Sequence, residues 1–426
     1  MALTVEQIAL VKSTAPVIKE HGKAITTTFY RRLLGAHPEL KNYFSLRNQQ
    51  SGAQQAALAE AVFAYAALID DLPRLAGAVD RIAHKHASLF VRPEHYPIVG
   101  EFLVAAFAEV LGDGLTSDVA EAWVAAYAQL ADVFVRRERE LYAETAEWQD
   151  WRAFCIVRKE REAEGVFSLY LEPRDRRPLR RYLPGQYVSL RIPVPELAGL
   201  FQCRQFSLST APDEGMMQYR VSVKREETVD GASVQDLADG KVPGLVSNKL
   251  FREYAEGAEV ELSPPRGEFF FDAAAVGPEA PVVLLSIGVG ATPLLAILES
   301  VAGPATGPTT RPVTRPVSWV HAARHPGAVC FAKTVADVAA RQPNVRSLVF
   351  LKDAGGDAHG PEGYVQGRLS MERAEADGLL HLDDKTAGYY ICGPEEWMVQ
   401  ARKWLQGRGV ARERVFVELF STGEVH

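Results

Sequence analysis

The chain has 426 residues, 47% hydrophobic and 24% charged, enough for two or three globular units each with its own core. A net charge of −7 argues against a general nucleic-acid binder, which meets phosphate with a positive surface. No apolar run is long enough to span a bilayer and the N-terminus lacks a charged segment followed by an apolar one, so a cytoplasmic protein without integral membrane association is expected.

From Thr4 to about Leu141 the pattern is helical, with alanine-rich stretches and apolar residues three and four apart. "TVEQ" opens it as a capping box, Thr4 capping and Gln7 reaching back. After "AEWQDWRAF" the period changes to two, in "VFSLYLEP", "QYVSLRIPVP", "RQFSLST" and "QYRVSVKRE", which predicts an antiparallel barrel or sandwich. From "APVVLLSIGVGATPLLAILESV" onward, fully apolar strands ("VVLLSI", "VSWVHA", "SLVFL", "YYIC", "RVFVEL") alternate with helices, the pattern of a doubly wound parallel α/β sheet. "GPATGPTTRPVTRP" reads as an exposed loop. The expected boundaries are 1–146, 147–276 and 277–426. Cys155, Cys203, Cys330 and Cys392 are scattered without a Cys-x-x-Cys pair, which argues against a thiolate metal site or an iron–sulfur cluster.

The helical unit carries polar residues where its wheels predict apolar ones. In "RIAHKHASLF", read as one helix, His86 falls in the stripe of Leu72, Leu75, Val79, Ile82, Leu89 and Phe90, while His84 points away from it. By itself His86 reads as a core histidine satisfied by a carbonyl. Gln54 leads the stripe of Leu58, Ala61, Tyr65 and Leu68, and Glu138 sits in that of Tyr127, Leu130, Phe134 and Leu141. A carboxylate there must be paired or hydrogen-bonded. Tyr30 adds a phenol on another helix, and four such inward groups predict a lined cavity.

"FYRRLLGAHPELKNYF", "GAQQAALAEAVFAYA", "RIAHKHASLFVRPEHYPIVGEFL" and "AYAQLADVFVRRERELY" together resemble the globin domain of the flavohaemoglobins, and the likeness runs through the rest of the chain. The resemblance implies an all-α globin followed by an antiparallel β-barrel FAD domain and a doubly wound nicotinamide domain of the ferredoxin–NADP reductase type. It implies that His86 is the proximal ligand of haem b iron, that Phe44 packs on the porphyrin, and that Tyr30 and Gln54 lie on the distal side. Tyr96 and Glu138 would stand beside His86, with Lys85 nearby as a modulator. An imidazole that donates its second N–H to a carboxylate becomes a stronger donor to iron, which favours oxygen activation over storage. Pro97, directly after Tyr96, is comfortable only in a first helical turn; a helix that starts at Pro93 instead would place it later and let it locally shift Tyr96.

"RQFSLST" resembles the flavin strand of the same reductases. That likeness implies Arg204 on the FAD pyrophosphate, Phe206 on the ring system and Ser207 on its rim, with Gln205 between them, Tyr187 of "PGQY" stacking from the next strand, and Glu268 of "PPRGEFFF" at the same cofactor. "SIGVGATP" joins a strand to a helix, with Thr292 as expected N-cap and Pro293 at the first helical position. Its glycines let backbone amides approach a phosphate. Without the third glycine of the Rossmann fingerprint, Gly288, Val289, Gly290, Ala291, Thr292 and Pro293 resemble instead the reductases' Gly-x-Gly-x-Thr-Pro loop. Cys392, Gly393 and Pro394 would lie beside the nicotinamide. Where the family often ends in Cys-Phe-Gly-Pro, this chain has Leu419, Phe420, Ser421 and Thr422, which keeps an aromatic face for the flavin but alters the turn. Arg324 and His325 follow a strand near the expected adenosine ribose, so NADPH use is expected beside NADH as the leading donor.

The function implied is a nitric oxide dioxygenase, a monomer whose partners are small molecules: nitric oxide, dioxygen and NAD(P)H. Two alternatives stand beside it. One is a haem-based sensor or store whose reductase keeps iron ferrous; the other is an NAD(P)H-dependent alkyl or lipid hydroperoxide reductase.

Overall fold

The structure, a computed structural model, describes residues 3–213, 215–226, 244–303, 314–353 and 364–420. The helical unit runs through α1 (Val5–Ser13), α2 (Ala15–Ala36), α3 (Leu46–Ser51), α4 (Ala53–Ala67), α5 (Ala76–Ser88), α6 (His95–Leu111) and α7 (Ser117–Glu144). The capping box forms as expected: the Thr4 hydroxyl accepts the Gln7 N–H and the Gln7 side chain accepts the Thr4 N–H. α2 packs on α4 and α6, and α5 on α7. The helical core is divided. A larger cluster surrounds Phe29, Leu33, Phe107 and Trp123, a smaller one holds Ala83, Ala87, Tyr96, Phe134 and Leu141, and Tyr127 and Leu130 border both. Among the described residues no helix is long and apolar enough to cross a membrane.

The helix expected to run through "RIAHKHASLF" is shorter. Leu72–Leu75 form a separate 3₁₀ turn, and α5 stops at Ser88. Phe90 takes a left-handed conformation, φ 57°, while its N–H donates to Ala87 O at 3.2 Å and the Val91 N–H donates to His86 O at 3.0 Å. This Schellman arrangement satisfies the last carbonyls of the helix, that of His86 included. A phenylalanine is strained there, and its buried ring is held edge-on by Trp151 at 5.4 Å.

Six strands form the antiparallel unit: β1 (Arg152–Ala163), β2 (Val166–Pro173), β3 (Tyr187–Val194), β4 (Leu200–Ser207), β5 (Tyr219–Lys224) and β6 (Glu259–Leu262), in the order β4-β3-β6-β1-β2-β5. A bridge between Leu208 and Val221 and a hydrogen bond from Ser209 N to Arg220 O at 2.9 Å join the two outer strands. That closure decides for a barrel over an open sandwich. Register shifts in β1 at Ile156/Arg158 and Arg161/Ala163 bend the long strand around the core. α8 (Leu245–Arg252) packs Val246 and Leu250 into that core.

The last unit is a parallel sheet of β7 (Val282–Ile287), β8 (Val317–Ala323), β9 (Val345–Leu351), β10 (Tyr364–Gln366), β11 (Gly388–Cys392) and β12 (Val415–Glu418), ordered β10-β9-β8-β7-β11-β12. Its helices are α9 (Ala291–Ala302), α10 (Ala332–Arg341), α11 (Met371–Ala376) and α12 (Glu395–Gly407). Separate apolar clusters cover the two faces, which is why the strands read as continuous apolar runs. The winding reverses between β7 and β11, a topological switch point where such sheets bind ligands beyond their carboxyl ends.

The units are tied by specific bonds. His84 Nδ1 accepts the Gly267 N–H at 3.1 Å, Ser189 Oγ donates to Ser88 Oγ at 2.9 Å, and Arg266 Nη2 donates to Thr145 Oγ1 at 2.7 Å. Between barrel and parallel sheet, Glu299 accepts from Thr210 Oγ1 at 2.8 Å and Ala211 N at 3.0 Å. His84 does point away from the helical core, but into the barrel rather than into water: it is buried. The wheel tests one helix against its own unit, and a second unit covers the other face.

Candidate functional site

On α5, His86 places Nδ1 2.8 Å from Glu138 Oε1 and 3.1 Å from the Tyr96 hydroxyl, which itself donates to Glu138 Oε1. α7 supplies Glu138, which is 2% exposed, and α6 supplies Tyr96 from its first turn. That helix starts at His95, so Pro97 sits in the first turn, where its missing N–H costs nothing. Tyr127 donates to Tyr96 O at 2.8 Å, and its ring lies against Gly100, where an added Cβ would fall 2.5 Å from a ring carbon. Burial and the Glu138 carboxylate push the Tyr96 phenol far above its ordinary range, so it is a donor. With Nδ1 engaged, Nε2 is the ring nitrogen left for a ligand. The His86 side chain is 32% exposed although Ala83 and Ala87 beside it are buried.

The Tyr30 hydroxyl is hydrogen-bonded to Gln54, and burial raises its pKa well above the ordinary value. Its ring meets Phe44 edge-on at 5.3 Å and Phe29 at 4.8 Å. Phe44 follows the 3₁₀ turn Pro38–Tyr43 in extended conformation, which turns it back toward α2. These residues belong to the larger cluster, whereas Tyr96 belongs to the smaller one that packs against α5.

On the barrel, β3 and β4 set Tyr187 opposite Ser207, and Ser189 opposite Gln205. The Tyr187 hydroxyl is buried with Ser88 as its polar neighbour, and its ring lies 3.1 Å from where a Cβ on Gly267 (φ 123°) would stand. Gln205 Nε2 donates to Ser189 Oγ at 3.2 Å. Arg204 donates through Nη1 to Cys203 O at 2.6 Å, Phe206 packs at the edge of the barrel core, and Ser207 is buried.

At the switch point Gly288–Gly290 form a 3₁₀ turn that runs straight into α9 at Ala291. The helix therefore begins earlier than expected: Gly290 is its N-cap, Thr292 lies inside the first turn with its hydroxyl donating to Val289 O at 3.0 Å, and Pro293 is third. Proline is tolerated anywhere in that turn because its N–H groups lack helical partners. A Cβ on Gly290 would lie 2.2 Å from Cys392 O, and one on Gly393 2.9 Å from the Trp397 ring. The two loops touch backbone to backbone, with Pro394 capping α12. Burial holds the Cys392 thiol well above its usual range. Leu419 is buried in the sheet's apolar cluster, Phe420 is 50% exposed, and Ser421 and Thr422 lie outside the described residues.

The globin family model matches residues 27–134, and that of the oxidoreductase NAD-binding domain matches 284–403. A flavohemoprotein of Bordetella pertussis is 46% identical over 99% of this chain and 100% of its own length; one of Chromobacterium violaceum is 42% identical over 97% of each. The chain belongs to the flavohemoprotein family. Among solved structures, a flavohemoglobin from Malassezia yamatoensis with bound FAD and heme covers 99% of this chain and 100% of its own at TM-score 0.81 and 28% identity. The FAD/NAD-binding domain of a nitric oxide dioxygenase from Vibrio cholerae covers 63% of this chain and 98% of its own at TM-score 0.50 and 31% identity. The fold is thus that of a globin joined to a flavin- and nicotinamide-binding oxidoreductase.

In this flavohemoprotein the junction of the three units carries charges that motif reading left apart. Glu418, inside the apolar strand "RVFVEL", is buried, and burial followed by Glu268 raises its pKa well above the carboxylate range. Lys85 feels Glu418 and Glu268 as its neighbouring charges, while burial lowers its pKa. Arg81 Nε pairs with Glu268 Oε1 at 2.9 Å. Lys85 therefore faces the reductase carboxylates. One acidic residue in an apolar strand beside the altered Leu419–Phe420 turn was the signal for Glu418.

Proposed function

We propose that this chain is a nitric oxide dioxygenase that takes electrons from NADH or NADPH through FAD to haem b and converts nitric oxide and dioxygen to nitrate. The observation that carries the reading is the His86–Glu138–Tyr96 network, a buried carboxylate and phenol behind an accessible imidazole, built on the same chain as a flavin strand and a nucleotide loop. The names of the relatives support it: one structure holds FAD and heme, another is a nitric oxide dioxygenase domain.

The residues fit these groups. His86 is accessible beside buried alanines and between two apolar clusters of the helical core, an apolar setting that suits a haem held through Nε2. The Tyr187 ring lying against the bare face of Gly267 suits a flavin, with Arg204, Phe206 and Ser207 on the adjacent strand and Glu268 near it. Gly288, with φ 57° and open space where a Cβ would stand, offers a nucleotide backbone approach just before the N-terminus of α9, while Gly290 and Gly393 let the two loops pack on each other. When bound, the nicotinamide and flavin supply hydride and single-electron chemistry and the haem binds dioxygen.

The chain's own groups do the following. Glu138 accepts the proton-bearing Nδ1 of His86, fixing its tautomer and making Nε2 a stronger donor. Tyr96 donates to the same carboxylate oxygen and holds it in place. Tyr30, kept protonated by burial and oriented by Gln54, presents an O–H that can stabilise negative charge on a small bound ligand. Arg324 is exposed at the end of β8, where its guanidinium can meet a 2′-phosphate; Arg324→Ala should reduce NADPH use and spare NADH.

The test is NADH oxidation in air with and without nitric oxide, with nitrate measured alongside. Oxidation should accelerate with nitric oxide and nitrate should match the nitric oxide consumed. Acceleration by alkyl hydroperoxide but not nitric oxide would move the reading to the peroxide reductase, and slow oxidation indifferent to both would move it to the sensor or store.

A further inference from the structure

We propose that Gln202 is a positioning residue that fixes the Phe44 loop of the helical unit against the flavin strand and so sets how the two redox sites face each other. This rests on the functional reading above, in which electrons pass from the flavin strand to the His86 pocket. Gln202 lies on β4, two residues before Arg204, and is 0% exposed. Its Nε2 donates to Lys41 O at 3.1 Å and Phe44 O at 3.4 Å, and to Phe201 O in its own strand at 3.0 Å; its Oε1 accepts the Leu46 N–H at 3.3 Å. One side chain thus engages both carbonyls and the amide of a single loop. Only a primary amide offers donors and an acceptor on that short fork: glutamate lacks the donors, lysine the acceptor, leucine both.

The neighbours reinforce the same junction. Phe201 N donates to Asn42 Oδ1 at 2.8 Å, and Cys203 Sγ donates to Asn42 O at 3.3 Å. Burial pushes the Cys203 thiol up to about 11, which keeps it a donor at neutral pH. Three consecutive residues of β4 therefore bond to 41–46. On one side that loop carries Phe44, whose ring meets Tyr30. On the other, β4 continues in unbroken register with β3 from Gln202 opposite Ile192 to Ser207 opposite Tyr187, so Gln202 ties the loop to the strand that carries Arg204 and Phe206, whose own place is held by β3. A ring contact, a hydrogen bond and the backbone of β4 thus connect Tyr30, Phe44 and Gln202 to Arg204.

The experiment uses the full chain loaded with haem and FAD, as wild type, Gln202→Leu and Gln202→Glu. Two quantities are read: hydrogen exchange of the 41–46 and 201–203 backbone, and anaerobic stopped-flow reduction by NADH followed separately at the flavin and Soret bands. In Gln202→Leu, exchange at 41–46 should accelerate about tenfold, and flavin-to-haem transfer should slow roughly tenfold while NADH-to-flavin reduction changes less than about twofold. Gln202→Glu keeps the Leu46 contact but sets a carboxylate against three carbonyls, so Leu46 should stay protected while flavin-to-haem transfer slows. Faster exchange with an unchanged flavin-to-haem rate would make Gln202 a structural fastener only and overturn the proposal, as would wild-type behaviour of Gln202→Glu. A wild-type chain whose flavin is reduced while its haem stays ferric would overturn the functional reading itself, an outcome distinguishable because it needs no variant.

Discussion

His84 and His86 stand two residues apart on α5 and meet opposite partners. His86 turns into its own unit, toward an ionisable carboxylate and a phenol; His84 turns outward, and its Nδ1 accepts a main-chain N–H from the barrel. Both are histidines bonded through Nδ1, yet the first bond makes the ring a stronger electron donor to whatever Nε2 holds and the second uses the ring as an acceptor in a docking surface. Which element faces a histidine, more than the residue type, decides whether it tunes chemistry or joins units.

The largest effect expected from breaking this contrast is in His86→Ala. That variant should lose the Soret band of bound haem and keep NADH-driven flavin reduction, as read by absorbance. Next comes Glu138→Gln, which preserves shape and removes the charge: haem should be retained while nitric oxide turnover falls about tenfold to a hundredfold, as removal of a ligand's hydrogen-bonding partner commonly does. Smaller again is His84→Ala, which leaves the Gly267 N–H buried and unpaired. It should lower stability by about 1–3 kcal/mol in thermal or denaturant unfolding and spare both haem content and flavin reduction. The smallest effect is a pH dependence. Burial holds the His84 pKa below its ordinary 6.5, outweighing the opposing Asp80 and Glu268 carboxylates, while Arg137 and Arg266 also lower it. The folded state then binds fewer protons than the unfolded chain, so this contribution is complete above about pH 6.5 and is lost as pH falls through the lower folded value. His321, buried and lowered to about 4, adds to the same acid-side loss. Unfolding midpoints measured from pH 7 to 5 should fall for wild type and fall less for His84→Ala.

Much of the architecture was legible because it rests on local periodicity. "VFSLYLEP" became β2 over the same residues, the apolar runs became parallel strands, and "TVEQ" capped α1. Glu138 and His86 were legible as polar interruptions of apolar stripes, a helix-level signal that survives folding. What failed to show depends on contacts between distant segments. Burial of His84 against Gly267, closure of the barrel through Leu208 and Val221, and the clamp from Gln202 to Lys41, Phe44 and Leu46 all join residues more than ten positions apart, and no period records them. The start of α9 was misplaced for a local reason: Thr-Pro is a strong helix-opening pair, but a 3₁₀ turn through Gly288–Gly290 had already set the chain winding.

In the proposed role, the Glu138 carboxylate acts through Nδ1 to strengthen His86 as a ligand. The iron–histidine stretching frequency of the ferrous protein, measured by resonance Raman in wild type and Glu138→Gln, tests it directly. That frequency should fall clearly on substitution; an unchanged frequency with haem still bound through His86 would show that the carboxylate does not tune the ligand.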